Sequence, residues 1–205
     1  SYDEHLNAIR DADDDDFIML SDNDEIPNLD SEEFKKNKND IVIFNQLFFY
    51  YKFNLLYDRM LWPGTKGCRK KNLKSFSWLR NIKFKKYPIW RIDTYFSNTK
   101  HSNLNIINNG GWHFTNLKSP EDMFEKFMNF GHHDEFKLSG ITVDKIRDKI
   151  SKREMFYDHF ADKSSKNKWD SDYKLKKIDT DLLPRYLVSN REKYLESVSY
   201  THLRA

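Results

Sequence analysis

Phe17-Ile-Met-Leu-Ser-Asp22-Asn-Asp24-Glu25-Ile-Pro27 is a short apolar run that ends in a cluster of carboxylates. Phe17 to Leu20 is too short for a helix and too apolar for a loop. The Asp run before it and the Asp/Asn/Pro cluster after it carry turn chemistry, so the stretch reads as a buried strand with an acidic carboxyl end. In open α/β sheets ligands sit in the crevice beyond the carboxyl ends of the parallel strands, which predicts that Asp22, Asp24 and Glu25 face a ligand. Asp22 and Asp24 stand two apart, and extended backbone projects both carboxylates to one side. Hard oxygen donors at that spacing suit Mg²⁺ or Mn²⁺, an ion that typically brings a phosphate with it. Asp-x-Asp also occurs in turns, where each Asp caps its own backbone; the strand in front and Pro27 behind favour the metal reading.

Outward from this stretch, 205 residues suit one domain with a real core, and 38% hydrophobic content with 16% aromatic residues describes a globular chain whose core leans on rings. No apolar run approaches the length of a membrane helix, since Ile41 to Leu56 is interrupted by Asn45, Gln46, Lys52 and Asn54. There is no transmembrane segment to read and no signal peptide. A single cysteine, Cys68, makes no intramolecular disulfide and no Cys-based zinc site, and fits a reducing compartment. The net charge of +3 decides little, but its distribution is uneven. Asp3 to Glu33 is dominated by acids, whereas Arg59 to Arg91 carries Lys66, Arg69, Lys70, Lys71, Lys74, Arg80, Lys83, Lys85 and Lys86 with no acid among them.

Tyr2 to Ala12 reads as the end of a helix, and a nucleotide-binding α/β half needs a βαβ unit ahead of its switch point, so an N-terminal piece is expected to be missing. Asp30-x-x-Glu33 has the capping-box pattern of a short helix to about Lys38. Ile41 to Tyr51 reads as a central strand, apolar on both faces. Trp62-Pro-Gly64 marks a loop, while Ile89 to Tyr95 and Asn105 to Ile107 read as short strands. Asn108-Asn-Gly-Gly is a turn that leads into Trp112-His-Phe114. Ser119-Pro-Glu-Asp122 starts a helix that Gly131 ends, and Thr142 starts another. Ala161 to Asp172 reads as a loop, and Leu182 to Leu187 as a packed segment before a last helix. The expected organisation is a single domain over residues 1–196, with 197–205 a non-native tail.

Three stretches in order, Ser21-Asp-Asn-Asp-Glu-Ile-Pro27, Tyr50-Tyr-Lys-Phe-Asn54 with Trp62-Pro-Gly64 and Leu79-Arg80, and Gly111-Trp-His-Phe114 with Ser119-Pro-Glu121, resemble glycosyltransferase family 17. This is the family of the β-mannoside β1,4-N-acetylglucosaminyltransferase, and the likeness covers roughly Asp15 to Ile150. It implies an α/β, A-type (Rossmann-like) glycosyltransferase fold truncated at its N-terminus. It further implies a UDP-sugar donor such as UDP-N-acetylglucosamine, a glycan acceptor, a divalent cation and inversion at the anomeric carbon. Asn23 departs from the small or apolar residue expected between the aspartates.

In that chemistry Mn²⁺ or Mg²⁺ held by Asp22 and Asp24 stabilises the leaving phosphate, with His113 completing the metal shell or meeting the diphosphate. One carboxylate takes the acceptor hydroxyl's proton, the candidates being Glu25, Glu121 and Asp122. Trp112, Trp62 and Tyr51 are candidate ring faces for sugar, with core packing as the other use of such rings. The competing readings are a non-catalytic module for polysaccharide or single-stranded nucleic acid, resting on Lys74-Ser-Phe-Ser-Trp78, and an inactive transferase fragment with the fold but no turnover. Under the transferase reading no nucleic acid is a partner. A microbial, cytoplasmic setting is expected, with contact to a membrane surface as an option.

Overall fold

The computed structural model describes residues 7–129, 133–160, 166–169 and 171–199. Among them the strands are β1 (Phe17–Leu20), β2 (Glu25–Pro27), β3 (Ile41–Tyr50), β4 (Leu55–Leu56), β5 (Trp62–Arg69), β6 (Leu104–Ile107), β7 (Gly111–Thr115) and β8 (Lys176–Lys177). The α-helices are α1 (Glu32–Lys35), α2 (Phe76–Asn81), α3 (Pro120–Met128), α4 (His133–Leu138), α5 (Val143–Lys152) and α6 (Arg185–Ser189). The architecture is thus mixed α/β with a multi-strand sheet. The chain forms two compact units, Ser1–Leu47 with Leu61–His113, and Phe48–Met60 with Phe114–Ala205. Residues 200–205 of the expected tail at 197–205, the first residues of the expected N-terminal helix and the helix stop at Gly131 lie outside the described residues.

In the first unit β5 lies between β1 and β3, antiparallel to both, and β6 runs parallel to β3. It follows that β1, β3 and β6 point the same way; β1 ends level with Ile43 and β6 level with Phe44, whereas β3 runs on to Tyr50. Both faces of β3 are covered, as its sequence predicts. Ile41 and Ile43 pack with Cys68, Leu79, Ile82 and Leu104, while Val42 and Phe44 pack with Ile107.

Three expectations for this unit need correction. Strand β1 is an edge strand that pairs with β5 alone among the described residues, and only Ile18 in it is buried. Trp62-Pro-Gly64 opens strand β5 and is not a loop. Pro63 lacks an N–H, and the β3–β5 register shifts between Ile43 and Asn45, a bulge at which the ladder does not need that donor. Residues 89–95 form a 3₁₀ turn at Ile92–Thr94 within a surface loop, not a strand. Two helix starts are also reassigned or newly defined. Ser31, not Asp30, caps α1, its hydroxyl accepting the Phe34 N–H at 3.2 Å. Ser75 caps α2 by accepting the Trp78 N–H at 3.0 Å.

In the second unit α3 and α5 start at the predicted caps, Ser119 and Thr142. Helix α4 has no cap signal in the sequence. The core of this unit is a ring cluster in which Phe136 meets Phe124, Phe127 and Trp169, and Phe156 stacks on Trp169.

Candidate functional site

The acidic turn closes on itself: the Glu25 N–H donates to the Asp22 carbonyl at 3.1 Å, and the Asp22 N–H donates to Glu25 Oε2 at 3.2 Å. It then enters β2, which pairs antiparallel with β7 in the register Glu25 to His113, Ile26 to Trp112 and Pro27 to Gly111. Gly111 sits at φ +115°, a conformation that side-chain-bearing residues rarely adopt. This register brings together two stretches separated by some ninety residues. His113 is buried, with Nδ1 3.7 Å from Asp24 Oδ1, and its ring stacks on Trp62 at 4.4 Å and 10°. The Trp62 indole N–H donates to Glu25 Oε1 at 2.9 Å. Asp24, Glu25, Trp62 and His113 are therefore one contact group. Trp112 neighbours His113 on the same strand, so alternation turns it to the opposite face of the β2–β7 ribbon, away from that group.

A cleft of about 290 Å³ opens beside them, lined by Asp22, Glu25, Trp62, Gly64, Lys66 and Arg80 among others. Arg80, from α2, forms an ion pair with the Asp22 carboxylate. Lys66 donates to the carbonyls of Arg80 and, at 2.8 Å, Ile82, so it caps the carboxyl end of α2, and burial lowers its pKa. Beneath the cleft the Ser21 and Thr65 hydroxyls bond at 2.7 Å, and the wholly buried Gln46 donates to Thr65 Oγ1 at 3.3 Å. A Cβ on Gly64 would stand 2.1 Å from Gln46 Oε1 and 3.2 Å from Glu25 Cδ, so the floor of the cleft admits only glycine as built.

Burial raises the Glu25 pKa above the usual glutamate value, with the Asp22 and Asp24 charges adding to it and the Trp62 hydrogen bond opposing it. Between the unfolded and folded values the folded state holds more protons, so stability falls as pH rises through that window. Below the window the penalty is absent; above it, the penalty is complete. Urea midpoints across a pH series are expected to show Glu25→Gln gaining on the unaltered chain as pH rises through this range. A difference that ran the other way would contradict the burial account.

The remaining predicted site residues belong to the second unit. Tyr51 is largely a core ring: it is 3% exposed, tilted against Phe156, with its hydroxyl donating to the Glu154 carbonyl at 3.3 Å, and it borders a second cleft of about 570 Å³ that Asp122 and Arg147 also line. Glu121 and Asp122 stand in the first turn of α3. The Glu121 pKa is lowered by its own backbone N–H and by its ion pair with Arg147, which weakens it as a base. The Asp122 N–H donates to Ser119 Oγ at 3.1 Å, an ordinary cap.

Among the described residues no three of His, Cys, Asp and Glu are grouped to hold a metal ion. The expected set of Asp22, Asp24 and His113 is thus not assembled as a three-ligand cage, because His113 lies buried against Trp62 and Asp22 faces Arg80. Two hard carboxylates in one turn remain. They are of the hard oxygen type that Mg²⁺ and Mn²⁺ take, ions commonly bound through one or two carboxylates with phosphate and water supplying the other ligands. Sequence reasoning named Arg80 within the cationic stretch and the resemblance, and Gln46 as a polar break in an apolar run, but gave neither a role at this site. An acidic stretch and a cationic one signal that some pair forms, but not which. The chain matches no protein-family model, no curated protein and no solved structure.

Proposed function

We propose that the chain is a metal-dependent, inverting glycosyltransferase that moves N-acetylglucosamine, or a related sugar, from a UDP-sugar to a glycan acceptor, on an A-type, Rossmann-like fold. The pairing of Glu25 with His113 carries the reading, because it gathers the acidic turn, the Gly-Trp-His-Phe strand and Trp62 beside one cleft. The common direction of β1 and β6 supports it, since both end level with the middle of β3, at Ile43 and Phe44, and the acidic turn follows directly from β1.

A divalent ion, when bound, supplies Lewis-acid stabilisation of the charge that develops on the leaving phosphate. Asp24 and Asp22 are the residues that would hold it. Asp22 is ion-paired with Arg80, so Asp22 would have to leave the guanidinium to serve as a ligand, and Arg80 would then be the group that meets the diphosphate. His113 positions Asp24 from behind. Of the three candidate bases, Glu25 lines the cleft and has the raised pKa that suits proton abstraction from an acceptor hydroxyl. Trp62, which lines the same cleft, is the ring that meets sugar.

Calorimetry of UDP on the full chain tests the reading. Binding is expected with Mn²⁺, to disappear in EDTA, and to weaken at least about tenfold in Asp24→Asn, because a charge-assisted ligand is lost. UDP binding that survives EDTA, or that falls only with salt, would instead favour a non-catalytic polyanion-binding module.

A further inference from the structure

The stretch from residue 83 to 100 exposes large apolar side chains in unusual density. Trp90 is 81% exposed and Phe96 85%, with Ile89, Ile92 and Tyr95 similarly open. These side chains do not come from a loose segment. Tyr87 and Thr94 are buried and anchor it. The Thr94 hydroxyl donates to the Arg91 carbonyl at 2.7 Å, the Tyr95 hydroxyl to the Ile89 carbonyl at 3.1 Å, and the Lys83 N–H to the Thr99 carbonyl at 2.8 Å across the base of the loop. A hydrogen-bonded loop thus holds several apolar side chains out in water. Apolar exposure concentrated in this way marks an interaction surface.

The charges around it decide the partner. Lys83, Lys85, Lys86, Arg91 and Lys100 flank the apolar side chains, and the one acid of the segment, Asp93, is neutralised by Arg91 at 2.6 Å and Lys100 at 2.8 Å. An apolar tip with Trp and Tyr beside it, inside a collar of cations, complements an anionic interface that has hydrocarbon beneath it. A soluble polyanion would use the collar and leave Ile89, Ile92 and Phe96 without a role. We infer that this loop docks the protein on an anionic lipid bilayer, with Ile89, Trp90, Ile92 and Phe96 entering the headgroup region and the lysines meeting lipid phosphates. The inference stands apart from the transferase reading and uses none of its residues.

Flotation of the full chain with phosphatidylcholine vesicles, with and without phosphatidylglycerol, tests it. Co-flotation is expected only with phosphatidylglycerol. Trp90→Ala with Phe96→Ala is expected to weaken it at least about tenfold, since each ring loses its burial. Lys85→Gln and Lys86→Gln are each expected to weaken it about fivefold. Quenching of tryptophan fluorescence by brominated phosphatidylglycerol in the unaltered chain reads ring insertion without any substitution. The inference is overturned if neither vesicle floats the protein, if the double ring variant floats as well as the unaltered chain and heparin retention tracks charge alone, or if the rings prove to mediate self-association in sedimentation.

Discussion

Gly111→Ala is expected to lower stability by about 3 kcal/mol or more, the sum of an unfavourable φ and a backbone clash. A Cβ at this position would stand 2.1 Å from the Ile26 carbonyl oxygen and 2.7 Å from the Asn28 nitrogen, both backbone atoms that cannot swing aside. Gly140 separates the two causes. It also has a positive φ, of +66°, but no heavy atom lies within 4 Å of its would-be Cβ, so Gly140→Ala is expected to cost only about 1 kcal/mol. Urea unfolding of both variants, with the slopes compared, measures the difference. Because Gly111 pairs with Pro27 and so sets the register that places His113 opposite Glu25, the Gly111 variant is also expected to lose Mn²⁺-dependent UDP binding under conditions where it remains folded. Equal losses at Gly111 and at Gly140 would show that conformation alone, and not the approach of β2 to β7, governs the position.

Glu25→Gln carries the second large expectation. Under the proposed function the base is removed while the carboxamide keeps an oxygen for the Trp62 indole N–H, so sugar transfer is expected to fall by about 10²–10⁴-fold with little change in UDP affinity. In the unaltered chain, activity is expected to decline as pH falls through the raised Glu25 pKa, that is, above the range in which an ordinary glutamate titrates. The split between turnover and affinity distinguishes a base from a structural carboxylate. Loss of both together would assign Glu25 to holding Trp62 in place.

The parts of this structure that local chemistry determines were legible in the sequence. Ser119 and Thr142 cap helices because a side-chain hydroxyl and the next turn suffice to do so, and β3 is central because its apolar residues alternate to both faces. Readings failed where distant partners override local preference. Pro63 and Gly64 have the composition of a loop, yet a bulge in β3 and a close approach by Gln46 fit them into a strand. Ile89 to Tyr95 has the β-branched and aromatic content of a strand, but no neighbouring strand accepts it, and its apolar side chains face solvent. Ring-bearing Tyr51 has the same local signal as Trp62, and only tertiary packing separates the core ring from the one that lines the cleft.

The candidate site was half legible for the same reason. The carboxylates of Asp22, Asp24 and Glu25 stand adjacent in sequence, and their chemistry could be read directly. Their meeting with His113 depends on the β2–β7 register, and the capture of Asp22 by Arg80 depends on where α2 lies against β5. Neither is a property of a window of residues. The Arg80 pair also explains how two neighbouring carboxylates are tolerated: one is neutralised by a guanidinium, and the other lies beside an imidazole.

The exchange of partners at Asp22 is the step on which the functional account turns. A crystal structure of the full chain with UDP and Mn²⁺, with the metal located by its anomalous scattering, tests it most directly. The account predicts a metal peak against Asp24 and Asp22, with Arg80 moved from Asp22 onto the diphosphate. An Arg80–Asp22 ion pair left intact while nucleotide and metal bind elsewhere would contradict it.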